Sequence, residues 1–203
     1  IDKIMMELGF QLFHLGAVKM GEKTILVAGD KGAGKTTTIV MALEQLGAQY
    51  IANDRVWGKV MENGLMIIER EADTKIGEKT IIDSTILSKT EDPLLDEESG
   101  KYFFNRLYSF FGSDKRTISG ISDRILLPQI QSSEDGIVTE SYRTDDILTQ
   151  SLIEDCQGFN IYRALYGNPV FRTKQKLDCI LKYSLNGFGP NGIINGLKLL
   201  SKN

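Results

Sequence analysis

The sequence carries one segment whose residue types and spacing point directly to chemistry. It fits the pattern G-x-x-x-x-G-K-[ST], known as a P-loop, and it comprises Gly29, Asp30, Lys31, Gly32, Ala33, Gly34, Lys35 and Thr36. The glycines let the backbone curl so that successive N–H groups can point at phosphate oxygens. Lys35 can reach the β- and γ-phosphates of a nucleotide, and the Thr36 hydroxyl can ligate Mg²⁺. The segment Gly29–Thr37 is therefore predicted to bind a nucleotide or another polyphosphate.

The residues on either side of this segment have the pattern that a P-loop requires. The run Thr24–Ala28 before it is short and apolar, as expected for a strand buried on both faces. An amphipathic helix is predicted after it, ending near Gly47, with an apolar face made of Ile39, Ala42, Leu43 and Leu46. That helix brings its positive N-terminal end to the anion that the loop binds. A second short strand, Tyr50–Ala52, ends at Asn53-Asp54, and the elements together predict a βαβ unit with a right-handed crossover.

The segment Tyr50–Val56, taken together with His14-Leu15-Gly16 upstream of the P-loop, resembles the HPr kinase/phosphorylase family and, more distantly, the phosphoenolpyruvate carboxykinases. Proteins of this group look like a histidine–glycine pair, a short strand, a P-loop, a helix and then an Asp-Asp pair followed by a basic residue. The resemblance covers roughly His14–Val60, about a quarter of the chain. It implies an α/β fold in which a mixed β-sheet containing the P-loop is flanked by helices.

The resemblance also implies an activity. Members of the family bind ATP and Mg²⁺ and transfer the γ-phosphate to a hydroxyl group, typically a serine of a protein. His14 matches the histidine beside the active site, Lys35 the phosphate lysine, and Asp54 the second carboxylate of the acidic pair, which with Thr36 would hold the metal. The acceptor is expected to be a serine of a peptide or protein, or a small hydroxylated molecule. Kinases that look like this occur in bacterial gene clusters for modified peptides, and the family commonly forms rings, so a peptide-tailoring role and a homo-oligomer are expectations by analogy.

Asn53 departs from the family pattern, because it stands where the first aspartate of the Asp-Asp pair is found. An amide has no basic site near neutral pH, so it cannot accept a proton from the acceptor hydroxyl. Either Asp54, His14 or another carboxylate such as Asp83 takes the base role, or the domain binds nucleotide without catalysis. The sequence has no clear match to the glycine-rich signature linked with the reverse, phosphorolysis reaction. Kinase-only chemistry on an acceptor other than HPr itself is therefore predicted.

Phosphoryl transfer also needs cations that offset the charge building up on the equatorial oxygens. Lys115 and Arg116, in a polar loop before a predicted strand Ile121–Leu127, are the predicted suppliers, with Arg124 behind them. Arg116 is accordingly a candidate catalytic residue. A Lys-Arg dipeptide is equally typical of a solvated surface loop.

Two other functions stay open. An unrelated P-loop NTPase would carry a magnesium-handling aspartate after a later apolar strand such as Ile125–Leu127, but Pro128-Gln129 follows that run. A non-catalytic, nucleotide-sensing module that assembles with a partner is kept open by Asn53.

The remaining sequence gives a coarse outline of the fold. Asn63-Gly64 predicts a hairpin turn between Lys59–Met61 and a returning strand, Leu65–Ile68. The acidic stretch Ser88–Gly100 predicts a surface loop. Helices are predicted over Tyr102–Phe111, Asp145–Cys156 and Gln175–Ser184, whereas the glycine-rich tail from Gly187 onwards has weak structure signals.

Composition bounds the class of protein. The 203 residues include 24 Lys and Arg against 27 Asp and Glu, a net charge of −3, which excludes a strongly basic nucleic-acid binder. No apolar run is long enough to predict a membrane-spanning helix. The two cysteines, Cys156 and Cys179, fit no metal spacing, so a reducing, cytoplasmic setting is expected. Because the chain opens at Ile1 without a methionine, we expect residues 1–203 to be a single domain cut from a longer protein.

Overall fold

A six-stranded mixed sheet forms the centre of this computed structural model. The structure describes residues 2–70, 74–91, 93–112, 114–141 and 181–202, so the predicted helix Asp145–Cys156 and most of the predicted helix Gln175–Ser184 lie outside the described residues. In chain order the described elements are α1 (Asp2–Glu7), β1 (Gln11–Phe13), β2 (Gly16–Met20), β3 (Lys23–Val27), α2 (Lys35–Leu46), β4 (Gln49–Ala52), β5 (Val56–Met61), β6 (Gly64–Glu69), β7 (Thr74–Gly77), α3 (Glu78–Asp83), β8 (Leu95–Asp96), β9 (Lys101–Phe104), β10 (Ser119–Ser122), β11 (Arg124–Gln129), β12 (Val138–Glu140), β13 (Tyr183–Phe188) and α4 (Gly189–Lys202). Short 3-10 helices cover Leu87–Lys89 and Leu107–Phe110.

The order of strands in the central sheet is β12-β13-β11-β3-β2-β4. β3 and β4 run in the same direction, but β2 lies between them and is antiparallel to both. The predicted βαβ unit is therefore split, and the parallel neighbour of β3 is β11. The physical reason is local. The turn at Gly21-Glu22 pairs β2 with β3, so β2 takes the position next to β3 and β4 can pair only with β2.

Strand direction brings the candidate site together at one edge of this sheet. The carboxyl ends of β3, β4, β11 and β13 all lie there, and so does the amino end of β2, because β2 runs the opposite way. The glycine-rich loop leaves β3 at this edge, His14 precedes β2, and Asp54 follows β4. Residues that are far apart in the sequence thus meet at the mouth of the loop.

Each face of the central sheet buries its own apolar core. Ile25 and Val27 of β3 point to the face covered by α2 and α4, whereas Leu26 and Ala28, the residue just after β3, point to the opposite face. The second face is covered by an antiparallel sheet of order β1-β5-β6-β10. Alternate residues of one strand serve two cores, which explains why this run is apolar throughout.

A third, three-stranded sheet of order β7-β9-β8 lies over α2 together with α3. Ile76, Phe104 and Leu107 from this unit are fully buried in the same core as α2. The unit matters for the site because it forms a wall beside the first turns of α2.

Two predictions of local structure are confirmed and two are wrong. Helix α2 ends at Gly47, whose backbone N–H donates to the carbonyl oxygen of Ala42, and the predicted hairpin is β5–β6, with Met61 paired to Gly64. Tyr102–Phe111 is not one helix but strand β9 and a 3-10 helix, separated by Arg106 at φ 52°. The predicted strand Ile121–Leu127 is divided at Asp123 into β10 and β11, which belong to different sheets.

The glycine-rich tail, for which sequence signals are weak, forms β13 and the fourteen-residue helix α4. Residues 181–184 are not helical as predicted, because β13 begins at Tyr183. Glycines let α4 lie close to the sheet: a Cβ on Gly196 would meet Leu126 at 2.7 Å, and one on Gly192 would meet the carbonyl oxygen of Ile137 at 2.4 Å. None of the helices in the described ranges combines the length and apolar character that crossing a lipid bilayer requires.

Gly192→Ala is expected to destabilise the fold by about 1–3 kcal/mol, the usual cost of overpacking, although alanine is the better helix former. Chemical denaturation measures the change in the free energy of unfolding, provided that its slope against denaturant concentration is the same in both proteins. Asn195→Ala, on the exposed side of the same helix, is the control and should leave the free energy of unfolding unchanged or slightly higher. Equal behaviour of the two variants would contradict the close packing of α4.

Candidate functional site

The glycine-rich loop connects β3 to the amino end of α2. Gly34, the residue before the helix, has φ 110°, in the left-handed region that favours glycine. A Cβ at this position would lie 2.6 Å from Cβ of Ile130, just after β11. The backbone N–H of Ile130 also donates to the carbonyl oxygen of Ala33 at 2.9 Å. The loop is therefore held from behind by the residue that follows the neighbouring strand.

Lys35 folds back over the loop. Its Nζ donates to the carbonyl oxygen of Gly29 at 2.6 Å and to that of Asp30 at 3.2 Å. In the first turn of α2, Thr38 Oγ1 donates to the carbonyl oxygen of Gly34 at 2.9 Å. The first backbone N–H groups of the helix and the lysine ammonium thus lie together at the loop, the arrangement that suits an anion.

His14 and Asp54, both named as site residues from the family resemblance, form a direct pair. His14 Nε2 lies 2.8 Å from Asp54 Oδ1, and the His14 side chain is mostly buried. Asp54 has φ 79°, one of two non-glycine residues at positive φ in the described part of the chain. Such a conformation costs free energy and is found disproportionately at functional sites. The backbone therefore turns sharply after β4 in a way that presents this carboxylate to His14.

The pKa of the Asp54 carboxyl is lowered from its ordinary value of 3.8, first by the hydrogen bond with His14 and further by the charges of His14, Arg55 and Lys35; burial opposes them. Because folding lowers the pKa of this carboxyl, the carboxylate stabilises the fold at a pH above the unfolded pKa. That contribution is lost as the pH falls through the folded pKa. The side chain is 59% exposed, so solvent screens this contribution.

We expect the Asp54 carboxyl to titrate below pH 3.8 in the folded protein and to shift back towards that value in His14→Ala, because the largest cause of the shift is then removed. Carbon-detected NMR of the side-chain carboxyl measures both midpoints. Glu62→Ala, in the exposed turn between β5 and β6 and outside this cavity, is the control and should leave the midpoint where it is. An unchanged midpoint in His14→Ala would contradict the pairing.

Asn53 is buried behind the loop. Its Nδ2 donates to Thr36 Oγ1 at 3.3 Å, and its Oδ1 has no hydrogen-bond partner among the described residues. A buried carbonyl oxygen without a partner is costly, and it marks a place that a cation or a water would satisfy. Of the two residues predicted to hold Mg²⁺, Thr36 contacts the amide nitrogen of Asn53, and Asp54 is the next residue in the chain. Hydroxyl, amide and carboxylate oxygens are the donors that Mg²⁺ takes, so the residues present fit that ion.

The loop and the His14–Asp54 pair open into one cavity of about 790 Å³, within the usual range for small-molecule sites. From the sheet edge and the loop it is lined by His14, Asp30, Lys31, Gly32, Gly34, Lys35, Thr36, Asp54, Ile130, Gln131 and Pro190. The other residues come from the side of α2 and from the α3 unit: Thr37, Val40, Met41, Glu44, Gln45, Gly77, Lys79, Thr80, Asp83, Ser84 and Lys101. Asp83, an alternative base in the sequence interpretation, thus faces the same space as Asp54.

The predicted cation suppliers do not line this cavity. Arg116 is bound to Glu69 Oε2 through Nε at 3.0 Å and Nη2 at 2.8 Å, and its guanidinium lies over the Tyr108 ring. Lys115 Nζ donates to the carbonyl oxygen of Gly47 at 3.3 Å, at the carboxyl end of α2. Arg124 is buried and donates to the carbonyl oxygen of Leu200. In this structure all three serve the fold, and a catalytic role for Arg116 stays an untested prediction.

Sequence reasoning missed the residues that α3 and β9 bring to the cavity. Lys79, Thr80 and Lys101 carry no motif, and their elements are too short for a clear periodic signal. Asp83 was named as an alternative base, but nothing in the sequence singled out its neighbours on α3. Their role depends on the placement of α3 beside α2, which is a tertiary effect.

The described residues form a mixed α/β protein with several sheets and few helices. No protein-family model and no curated protein matches the chain. Among solved structures it is similar to the Hpr(Ser) kinase/phosphatase from Coxiella burnetii, with 15% sequence identity and a TM-score of 0.39, over 64% of this chain and 77% of that one. What this chain binds is therefore inferred from its own residues.

Proposed function

We propose that this chain is an ATP-dependent kinase that transfers the γ-phosphate to a hydroxyl group. One observation carries the proposal: the glycine-rich loop at the amino end of α2 shares a cavity with a hydrogen-bonded His14–Asp54 pair. A polyanion-binding loop alone would suit any nucleotide-binding protein. A carboxylate and an imidazole facing the same space add groups that can bind and deprotonate a hydroxyl.

The loop and the first turn of α2 bind the phosphate groups of ATP through backbone N–H groups and the Lys35 ammonium. Lys35 exchanges its contacts with the carbonyl oxygens of Gly29 and Asp30 for phosphate oxygens. Thr36, Asp54 and Asn53, whose Oδ1 has no hydrogen-bond partner in the described part of the chain, are the residues that would hold Mg²⁺. When bound, that ion supplies charge neutralisation to the β- and γ-phosphate oxygens.

Asp54 accepts a hydrogen bond from the acceptor hydroxyl and takes its proton as the hydroxyl oxygen attacks the γ-phosphorus. The bond between the γ-phosphorus and the bridging oxygen breaks, and ADP leaves with that electron pair. The lowered pKa of Asp54 makes it a weak base, so its main contribution is to orient the hydroxyl. His14 is a positioning residue that holds the carboxylate through Oδ1.

The chemistry of the site and the family resemblance support a hydroxyl-bearing acceptor. A serine of a peptide or protein, or a small hydroxylated molecule, presents the hydroxyl that the pair can use. Transfer from γ-labelled ATP to a serine-containing peptide library and to a set of small polyols tests the reaction. Wild type is expected to transfer label only with Mg²⁺ present, and Lys35→Ala and chelation of the metal should each abolish transfer. Label transfer by Lys35→Ala at the wild-type rate would contradict the proposal.

A nucleotide-binding sensor is the second candidate, because Asn53 cannot act as a base. Titration calorimetry with ATP separates the two functions: binding without transfer to any acceptor leaves only the sensor. We expect Asn53→Asp to increase transfer, since it adds a second carboxylate beside Thr36 without a change in size. Asn53→Ser is the control that removes the amide without adding charge. Equal transfer in Asn53→Asp and wild type would show that position 53 does not limit the reaction.

A further inference from the structure

A pair of lysines lines the cavity on the wall formed by α3 and β9. Lys101 begins β9 and is paired across the ladder with Gly77, the last residue of β7. Lys79 follows two residues after Gly77, in the first turn of α3. Strand pairing therefore fixes the two lysines close together in the fold, and both face the cavity that the loop opens into.

This wall is tied to α2 at two points. Thr80 Oγ1 lies 2.8 Å from Thr37 Oγ1, so the residue next to Lys79 contacts the first turn of α2. Two residues after the end of α3, the backbone N–H of Thr85 donates to Glu44 Oε1 at 2.8 Å. Thr37 directly follows Thr36 at the amino end of the helix. Lys79 is thus held beside the place where the loop binds phosphate.

Neither lysine has an ion pair or a side-chain hydrogen bond within the described ranges, and the same holds for Lys31 in the loop. Their neighbour Lys75, in contrast, is bound to Asp96 at 2.6 Å and lies over the Phe103 ring. Asp83 lies one turn after Lys79 on α3, and no ion pair joins the two. Two unpaired ammonium groups facing a cavity raise the local concentration of anions there.

We propose that Lys79 and Lys101 form an anion subsite that binds the phosphate chain of the nucleotide from the wall formed by α3 and β9. This inference rests on the proposed function and assigns to these lysines the charge neutralisation that the sequence assigned to Arg116. Phosphate is favoured over a carboxylate-bearing acceptor because the Thr37–Thr80 contact places the residue next to Lys79 against the first turn of α2, at the loop end of that helix. Lysine suits this role, since it binds phosphate as a mobile point charge.

The experiment measures binding of inorganic triphosphate and of ATP by titration calorimetry, with and without Mg²⁺. The double variant Lys79→Ala/Lys101→Ala is expected to bind both ligands about 10- to 100-fold more weakly, as the loss of two charge-assisted contacts predicts. Lys89→Ala, nearby on the surface and outside the cavity, is the matched charge control and should bind like wild type. Circular dichroism and the thermal midpoint show whether the double variant is folded. If the alanine variant does not fold, the Lys79→Gln/Lys101→Gln variant is used in its place.

The outcomes separate this inference from the proposed function. If wild type binds neither triphosphate nor ATP, the proposed function fails. If wild type binds both and the double variant binds equally well, only the lysine subsite is wrong. Unchanged triphosphate affinity with a raised KM for a phosphate acceptor would overturn the inference in favour of an acceptor subsite. Equal weakening in Lys89→Ala would show a general charge effect and would also overturn it.

Discussion

Asparagine in place of Asp54 is expected to lower phosphoryl transfer about 10²- to 10⁴-fold, because it removes the carboxylate that orients the acceptor hydroxyl and takes its proton. The variant keeps the backbone, because asparagine tolerates the left-handed conformation that Asp54 adopts at φ 79°. Affinity for metal-free ATP should stay the same or rise, since a negative charge near the triphosphate is removed. Single-turnover transfer and calorimetry measure the two quantities separately.

Asp83→Asn is the matched control, because it removes the same charge from the same cavity without touching His14. We expect it to leave the rate of transfer within about threefold of wild type, because the interactions of a solvent-exposed charge contribute little free energy. If Asp83→Asn abolishes transfer while Asp54→Asn does not, the base is Asp83. If neither variant changes the rate, the role given to the His14–Asp54 pair is wrong.

Alanine in place of Gly34 is expected to abolish nucleotide binding and to destabilise the fold by about 1–3 kcal/mol. The added Cβ meets Ile130 at 2.6 Å, and φ 110° is unfavourable for any residue with a side chain. Relief of the contact must move the loop away from β11, which would misdirect the N–H groups that we propose to bind phosphate. Denaturant titration and ATP calorimetry measure the two effects.

Gly32→Ala isolates the backbone effect from the steric one. Gly32 also has positive φ, 91°, but a Cβ there would meet no atom within 4 Å. The variant should therefore lose only about 1 kcal/mol from backbone strain and keep measurable ATP binding. Equal loss of binding in Gly32→Ala and Gly34→Ala would show that loop conformation alone, and not support from Ile130, decides the affinity.

Local sequence patterns predicted the parts of the fold that local interactions determine. The run of β3 is apolar on both faces, and α2 shows helical periodicity up to Gly47. The dipeptide Asn63-Gly64 predicts the β5–β6 hairpin. The family resemblance, and not a local signal, singled out His14 and Asp54, and no sequence feature predicted their direct pairing. It depends on β2 lying between β3 and β4, which single-sequence periodicity cannot predict.

The incorrect predictions share a physical cause, because tertiary contacts decided between two locally acceptable structures. The aromatic residues of Tyr102–Phe111 suit a strand as well as a helix, and pairing with β7 selects the strand. In α4 the glycines lower helix propensity, but close packing on β11 and β13 outweighs it. Lys79 and Lys101 gain their place from the pairing of β7 with β9, which no spacing in the sequence encodes.

The position of the glycine-rich loop between β3 and β11 has a consequence for the order of folding. β2, β3, α2 and β4 are contiguous in the chain and have low contact order, whereas β11 joins them from far along the sequence, so the first group is expected to form sooner. The loop gains its support from Ile130 only when β11 docks. A polyphosphate that binds only the docked state would then stabilise the junction between the early and late halves of the sheet. A higher ligand concentration would therefore slow unfolding as well as raise the free energy of unfolding.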